Sequence, residues 1–511
     1  MPRHFNIAGP CVSDLHYMLP AAERLKGVRA LIEAQSCFVI HAPRQSGKTT
    51  ATRDLARALT ESGRYAAAVL TVEAGAAFDD VQTAEPAIGR AWSVGTENQL
   101  PEELRPPADA GAGAPAGAMV ADILARWCRA CPRPVVVFLD EIDSLQPAVL
   151  TSVLKQLRGG FPERPTGFPH ALALVGLRDV RDYVLSGGTG RSGGGSPFNI
   201  SAASVSLDLF TREQIGELYA QHTEETGQSF APEAVDAVYE ATCGQPWLVN
   251  ALAREATASN PAQTVLAEHI VDARESLIQR RVTHLESLGE RLRDPRVRRV
   301  IEPILAGTYP EGAIPDDLIY VEELGLIRRG PSGSTDIANP IYREVIPRVL
   351  AHTTFSFIPP LRPTWLTPGG AIDAGALMRA FADFWRQHGE PIMRTIDYHE
   401  VAPQLVLMAF LHRVVNGGGT VDREYAAGSG RIDLYVRAPG LTMAIELKVW
   451  RDGGRDPLTA GLVQLDAYLE RLGLSSGWLV IFDRRSARVP GAVFGSAVTA
   501  SGRAVEVLRA S

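Results

Sequence analysis

Two stretches of the chain bring ionisable and hydroxyl side chains together at spacings that suit work on phosphates. The first is HAPRQSGKTT, residues 41–50, which follows an apolar run and opens a helical pattern. Main-chain N–H groups at a helix start point toward phosphate oxygens, a lysine there neutralises their charge, and the next hydroxyl reaches Mg²⁺. Gly47, Lys48 and Thr49 fill those roles, with Ala42, Pro43, Gln45, Ser46 and Thr50 around them. Ala42 stands where the strict pattern has glycine, a departure at one position. The partner acids are expected in PVVVFLDEID, residues 134–143. Asp140 would hold Mg²⁺ through water and Glu141 would polarise an attacking water, at the strand end where α/β proteins seat ligands. An isolated acid pair after a strand equally suits a surface turn. The loop and the acids in this chain order make a nucleotide site the expectation.

The second stretch is RIDLYV (431–436) followed by AIELKVW (444–450), two alternating strands joined through Pro439-Gly440. Pro-Gly is the chemistry of a tight reversal. A hairpin centred there sets Asp433 opposite Glu446 and Arg431 opposite Lys448. Like charges directly opposed across a ladder destabilise it, which makes sense if a divalent cation lies between the carboxylates. Lys448, two residues on, shares their face. A solvated network of Asp433–Lys448 and Glu446–Arg431 diagonals suits the same residues, and a slip of one residue would end the opposition. The hairpin alone leaves both readings open.

The elements that must position these groups can be read from the patterning. CFVIHAP, YAAAVLTVE, PVVVFLDEID and HALALVGLRD are apolar runs bounded by turn residues, as expected of strands buried on both faces of a parallel sheet. A helix over Thr49–Leu59 lies between two of them. We expect an α/β multidomain chain: a P-loop ATPase core over 1–206, a helical lid over 207–285, a winged-helix-like module over 286–356 and a Pro-rich linker over 357–372. An α/β domain over 373–511 follows. Residues 105–118 and 185–197 carry little apolar surface and read as mobile surface loops.

The N-terminal half, residues 1–285, resembles the AAA-type and STAND ATPases of the P-loop ASCE class. The resemblance implies ATP and Mg²⁺ as cofactors. It makes Arg178 in VGLRD a γ-phosphate sensor, although the arginine alone would equally suit the surface. GQPWLVNALA resembles the GxP motif of STAND lids, which implies roles for Gly244 and Pro246, with Arg254 as a second sensor. FNIAGPCVSDLHYMLP resembles the segment that cradles adenine in such proteins. GRIDLYV and AIELK resemble the core of the PD-(D/E)XK nucleases, the restriction-endonuclease-like fold, over about 395–485. By that resemblance Asp433 and Glu446 bind Mg²⁺, Lys448 positions the water, and Glu400 is an accessory ligand. Gln464 and Tyr468, at i and i+4, would support the site, and Glu424 precedes it. Together these imply an ATP switch controlling a Mg²⁺-dependent DNA endonuclease in prokaryotic defence, with homo-oligomers on activation and DNA favoured over RNA as partner. The alternatives are a nucleotide-dependent regulator that only binds DNA or a partner, and a helicase-like motor, for which no second motor domain is seen.

Composition sets the outer bounds. At 511 residues, several domains are expected. VAPQLVLMAFLHRVV is the most apolar run and is broken by Pro403, Gln404, His412 and Arg413, so no membrane partner is expected. Five scattered cysteines and no secretion signal point to the cytoplasm. Cys128 and Cys131, a lone C-x-x-C, suit buried thiols better than zinc. A formal net charge of −7 argues against a surface coated for nonspecific DNA binding.

Overall fold

The computed structural model describes residues 3–20, 24–177, 201–259, 264–279, 288–305, 314–330, 334–355, 363–369, 371–389, 391–392, 401–414, 420–427, 430–438, 440–488 and 491–511. Arg178, Glu400 and the stretch 185–197 lie outside them, as do the side chains of Glu424 and Arg431. The chain divides into two compact units, Met1–Gln279 with Ile319–Arg328, and Arg280–Leu318 with Arg329–Ser511.

The first unit is built on α1 (Val28–Glu33), β1 (Cys37–His41), α2 (Lys48–Glu61), β2 (Ala66–Thr71), α3 (Val81–Gln99), α4 (Met119–Ala130), β3 (Val135–Asp140), α5 (Pro147–Gly160), β4 (Ala171–Gly176) and β5 (Ser201–Ser206). The strands form a parallel sheet in the order β2-β3-β4-β1-β5. β3 and β4 are buried along their whole length, because helices cover both faces. One apolar core lies under α3, α4 and α5 and holds Trp92 and Trp127; the other lies under α1 and α2. Helices α6 (Arg212–Thr226), α7 (Pro232–Thr242), α8 (Pro246–Ser259) and α9 (Ala267–Gln279) complete the unit's all-helical part.

One expectation changes here, and one strand was not foreseen. Residues 105–118 form packed turns rather than a mobile loop. Gly111 N–H donates to Asp122 at 3.0 Å and Gly117 N–H to the buried Glu85 at 2.9 Å, so carboxylates replace the apolar anchors that this stretch lacks. β5, reading SAASVS, is a strand without an apolar run, held by its pairing with β1. Cys128 and Cys131 pack against the first core; burial pushes the Cys128 thiol up to about 12 and raises Cys131 as well.

Further along come α10 (Pro295–Leu305), α11 (Pro315–Glu323), the short paired strands β6 (Ile327–Arg329) and β7 (Thr335–Ile337), and α12 (Pro340–Phe355). The turn that leaves α11 belongs to the first unit. Gly325 takes a left-handed φ of 72°, and a Cβ there would lie 2.6 Å from the Pro43 ring. Arg328 donates to Cys243 Sγ at 3.2 Å in the same unit.

The second unit adds α13 (Ala374–Phe384), α14 (Ala402–Val414), β8 (Thr420–Ala427), β9 (Gly430–Ala438), β10 (Leu441–Trp450), α15 (Leu458–Leu472), β11 (Ser476–Asp483), β12 (Ala492–Val498) and β13 (Ala504–Ala510). Its mixed sheet runs β12-β13-β11-β10-β9-β8, with β10, β11 and β13 parallel. Leu465 and Leu469 of α15 pack on Ala444, Leu479 and Ile481. Phe482, one residue on and thus on the opposite face, meets Phe381 and Trp385 at 6.3 and 4.8 Å between ring centres. Both faces of the sheet are therefore covered. No described helix is long and apolar enough to cross a membrane.

Candidate functional site

The phosphate loop lies between β1 and α2. Gln45 and Gly47 take left-handed backbone, with φ of 59° and 88°. Ala42 does not, which explains why an alanine is tolerated where the pattern has glycine: its N–H donates to Gly176 O at 3.3 Å and its side chain is buried. Lys48 Nζ donates to the carbonyls of Ala42 (2.6 Å) and Pro43 (2.9 Å), folding back over the loop. Ser46 Oγ donates to Pro43 O at 2.7 Å. The sheet's strand order and this loop are those of the P-loop ATPase fold.

The acids emerge from the end of β3, beside β1's neighbour β4. Thr49 Oγ1 donates to Asp140 Oδ2 at 2.7 Å. A hydroxyl and a carboxylate in contact are the hard oxygen donors that Mg²⁺ takes, so this pair fits the ion. Burial raises the Asp140 pKa, and the Thr49 hydrogen bond and the Lys48 charge oppose the rise. Glu141 stands on a left-handed φ of 61°, uncommon for a residue with a Cβ. Partial burial, a hydrogen bond shared with Glu73 and the charges of Glu73 and Asp140 push its carboxyl up to about 7. Asp143, which sequence reasoning passed over, accepts from Leu177 N–H at 3.2 Å and so ties the acidic turn to the end of β4.

The N-terminal segment runs between the loop helix and the helical part. Cys11 N–H donates to Thr50 Oγ1 at 3.0 Å, and Trp247 Nε1 donates to Ile7 O at 2.8 Å. Gly244 has a φ of 79°, and a Cβ on it would lie 2.0 Å from Phe210 O; its own carbonyl accepts from Phe210 N–H at 2.9 Å. Pro246 opens α8, where Gln245 Oε1 accepts from Leu248 N–H at 2.6 Å. Gly244 and Pro246 thus shape the start of a helix. Arg254 lies in a shallow cleft of about 230 Å³ with Arg3, His4, His222 and Gln228, a lining that includes no phosphate-loop residue.

Arg24 escaped the sequence reading altogether. It is 6% exposed. Its Nη2 donates to Ser46 O at 2.6 Å and to Asp208 O at 2.8 Å, and its Nε to Asp208 O at 3.1 Å. The guanidinium also lies 4.7 Å from the centre of the Phe210 ring. One cation therefore joins the phosphate loop to the segment between β5 and α6. The signal was a lone arginine in a short polar stretch, with no pattern to mark it.

In the second unit β9 and β10 pair in the register expected from the Pro439-Gly440 turn, through Leu441↔Ala438 to Ile445↔Leu434. The paired residues end there, one step before Asp433 and Glu446. The charged face of β10 is not wet: Ala444, two residues before Glu446, packs under α15, and Glu446 is 2% exposed. Lys448 Nζ donates to Glu446 Oε1 at 2.7 Å. Glu446 Oε2 is buried with no hydrogen-bond partner. Burial, then the charge of Asp433, push the Glu446 carboxyl up to about 8, against the pull of Lys448. An orphaned buried oxygen beside a second carboxylate is what a bound cation would satisfy, so the residues fit Mg²⁺. Among the described residues no third acidic, histidine or cysteine side chain joins the pair. Asp433 Oδ2 accepts from Leu447 N–H at 2.7 Å. On α15, Tyr468 packs at the edge of the core and Gln464 is exposed.

No protein-family profile and no curated protein matches this sequence. Among solved structures, the chain is similar to a Walker-type ATPase of Pyrococcus abyssi, at 13% identity over 67% of this chain and 99% of that one, with a TM-score of 0.47. It is similar to the Aeropyrum pernix ORC2 protein, solved in ADPNP–ADP complexes, at 15% identity over 64% and 93%, with a TM-score of 0.41. It is also similar to the Thermotoga maritima RuvB Holliday junction branch migration motor, at 14% identity over 62% and 89%, with a TM-score of 0.32.

Proposed function

We propose that the chain is an ATP-binding and ATP-hydrolysing switch whose C-terminal unit is a Mg²⁺-dependent endonuclease, acting on DNA in preference to RNA. The observation that carries the nuclease reading is the buried, unpartnered Glu446 Oε2 beside Asp433, with the Lys448 ammonium on the other Glu446 oxygen. Asp433 and Glu446 would hold the ion, which when bound supplies charge neutralisation at the phosphodiester and a more acidic water. Lys448, fixed by Glu446, would position the attacking water. Gln464 and Tyr468 of α15 would support the site, and Glu400 would be the accessory ligand.

At the loop, Lys48, which now donates to the Ala42 and Pro43 carbonyls, would neutralise the β- and γ-phosphates, and Thr49 and Asp140 would hold Mg²⁺. Glu141, with its carboxyl near neutrality, takes hydrogen bonds from the attacking water. Arg178 would sense the γ-phosphate, and Gly244 and Pro246 would carry the lid's movement. A winged-helix role for 286–356, oligomerisation on activation, and a cytoplasmic defence role complete the proposal.

Plasmid cleavage with and without ATP and Mg²⁺ tests it. The parent chain is expected to cut, and Asp433→Ala and Lys448→Ala to lose cutting by at least about a hundredfold. Variants that cut as well as the parent would overturn the nuclease assignment. The second reading, a regulator that only binds DNA or a partner, draws on the Leu447 N–H that already occupies one Asp433 oxygen. It predicts DNA binding without cutting by the parent.

A further inference from the structure

The ends of β10 and β11 carry an arginine-rich platform beside the carboxylate pair. Residues 451–456 read RDGGRD and residues 483–488 read DRRSAR; with Arg509 they hold six arginines against three aspartates, on a chain of formal net charge −7. The two loops are fastened to each other. Arg484 N–H donates to Trp450 O at 2.8 Å, prolonging the Trp450↔Asp483 register. Ser486 N–H donates to both Asp452 oxygens at 3.0 and 3.1 Å, and Trp450 Nε1 donates to Gly454 O at 3.0 Å.

The Trp450 indole is the pivot. The Arg485 guanidinium lies 3.4 Å from its ring centre and Arg509 lies 5.3 Å away. Arg485 makes two bonds to Asp483, at 2.9 and 2.6 Å, and Arg509 two to Asp456, at 3.1 and 2.9 Å. The three carboxylates are thus bound within the platform, two by the arginines on the indole and one by Ser486. Of the other four arginines, Arg451, Arg455 and Arg484 are exposed and Arg488 is half-buried.

Position gives this charge a use. Trp450 is two residues beyond Lys448 on the same face, and Arg451 lies about 10 Å along the strand from Lys448. That span is about three base steps of one DNA strand. We propose that this platform grips the phosphodiester backbone of a nucleic acid and lays it across Asp433 and Glu446. This rests on the nuclease reading of that pair. Contacts of this kind fix where a duplex lies without reading its bases, and Arg suits phosphate better than a point charge does.

The test uses the full chain carrying Asp433→Ala and a labelled short DNA duplex, with binding followed by fluorescence anisotropy across a range of salt. Arg455→Glu with Arg484→Glu, both at exposed positions, is expected to weaken binding at least about tenfold at low salt and to flatten the log–log salt slope by about two. Single-stranded DNA and duplex RNA, run alongside, distinguish the source of the phosphodiester. Equal affinity and slope in the two chains would overturn the proposal, as would a chain that binds no nucleic acid or binds anionic lipid vesicles instead. Plasmid cutting by the chain with Asp433 intact is read separately. Cutting with unchanged binding in the double variant overturns the platform and leaves the nuclease reading standing. Salt-sensitive binding lost in the variant, with no cutting, does the reverse.

Discussion

Replacing Arg24 by methionine keeps a long apolar stem on Phe210 and removes every donor. The bond to Ser46 O, 2.6 Å long and buried, involves a charged group; losing such a bond costs about 1.5–3 kcal/mol. The two bonds to Asp208 O are partly solvated and share one acceptor, so together they add about 1 kcal/mol. The guanidinium over Phe210 contributes about 1 kcal/mol. Relief from burying a cation offsets part of this, leaving a net loss of about 3 kcal/mol. For a unit of this size that lowers its melting transition by about 5 °C. Lys48, Thr49 and Asp140 are untouched in the variant, yet the stretch from Ser46 to Gly47 loses its brace. The stabilisation given by ATP–Mg²⁺ should therefore shrink along with the melting temperature. Differential scanning fluorimetry with and without nucleotide measures both, and Arg24→Lys, which retains one of the bonds, should fall between. A methionine variant that melts within about 1 °C of the parent would refute the reasoning, because a cation bridging two segments cannot be removed without cost.

Other outcomes follow from the same geometry. Lys48→Ala should abolish most of the roughly 2.7 kcal/mol stabilisation that ATP–Mg²⁺ gives at about a hundred times its dissociation constant; an unchanged thermal shift would count against the phosphate-loop assignment. The Glu446 carboxyl rises from 4.5 to about 8 in the metal-free fold, so its contribution is complete below pH 4.5 and is lost as pH climbs through 8. In EDTA the parent should lose a few kcal/mol relative to Glu446→Gln across that interval, at about 1.4 kcal/mol per unit at most, and Mg²⁺ should restore part of the loss above pH 8. A pH-independent difference between the two chains in melts would sink that account. Gly244→Ala sets a Cβ 2.0 Å from Phe210 O on a left-handed backbone, and should cost about 3 kcal/mol or more in a melt.

What could be read beforehand was whatever repeats or alternates. β1 to β4 announced themselves because strands buried on both faces need unbroken apolar runs, and the β9–β10 register followed from one Pro-Gly turn. β5 was hidden, since Ser, Ala and Val in a short run carry no apolar signature. The packing of 105–118 was hidden too, because its anchors are the carboxylates of Glu85 and Asp122, remote or polar groups that no local pattern weighs. The strand alternation around Glu446 marked a charged face, but that α15 lies over it depends on Leu465 and Leu469 packing on Ala444, a tertiary fact. Arg24 shows the same limit: its partners, Ser46 and Asp208, are main-chain carbonyls far along the chain, and any residue type can supply those.

The turn at Gly325 has a practical corollary. Its close approach to Pro43 means that the unit carrying the phosphate loop is completed by residues translated some forty positions after α9 ends. A recombinant fragment stopping near 285 would leave that proline bare and Cys243 without Arg328. Such a truncation should express as a leakier, more protease-sensitive product than its length alone suggests. The shortest faithful excision would have to run past Arg328.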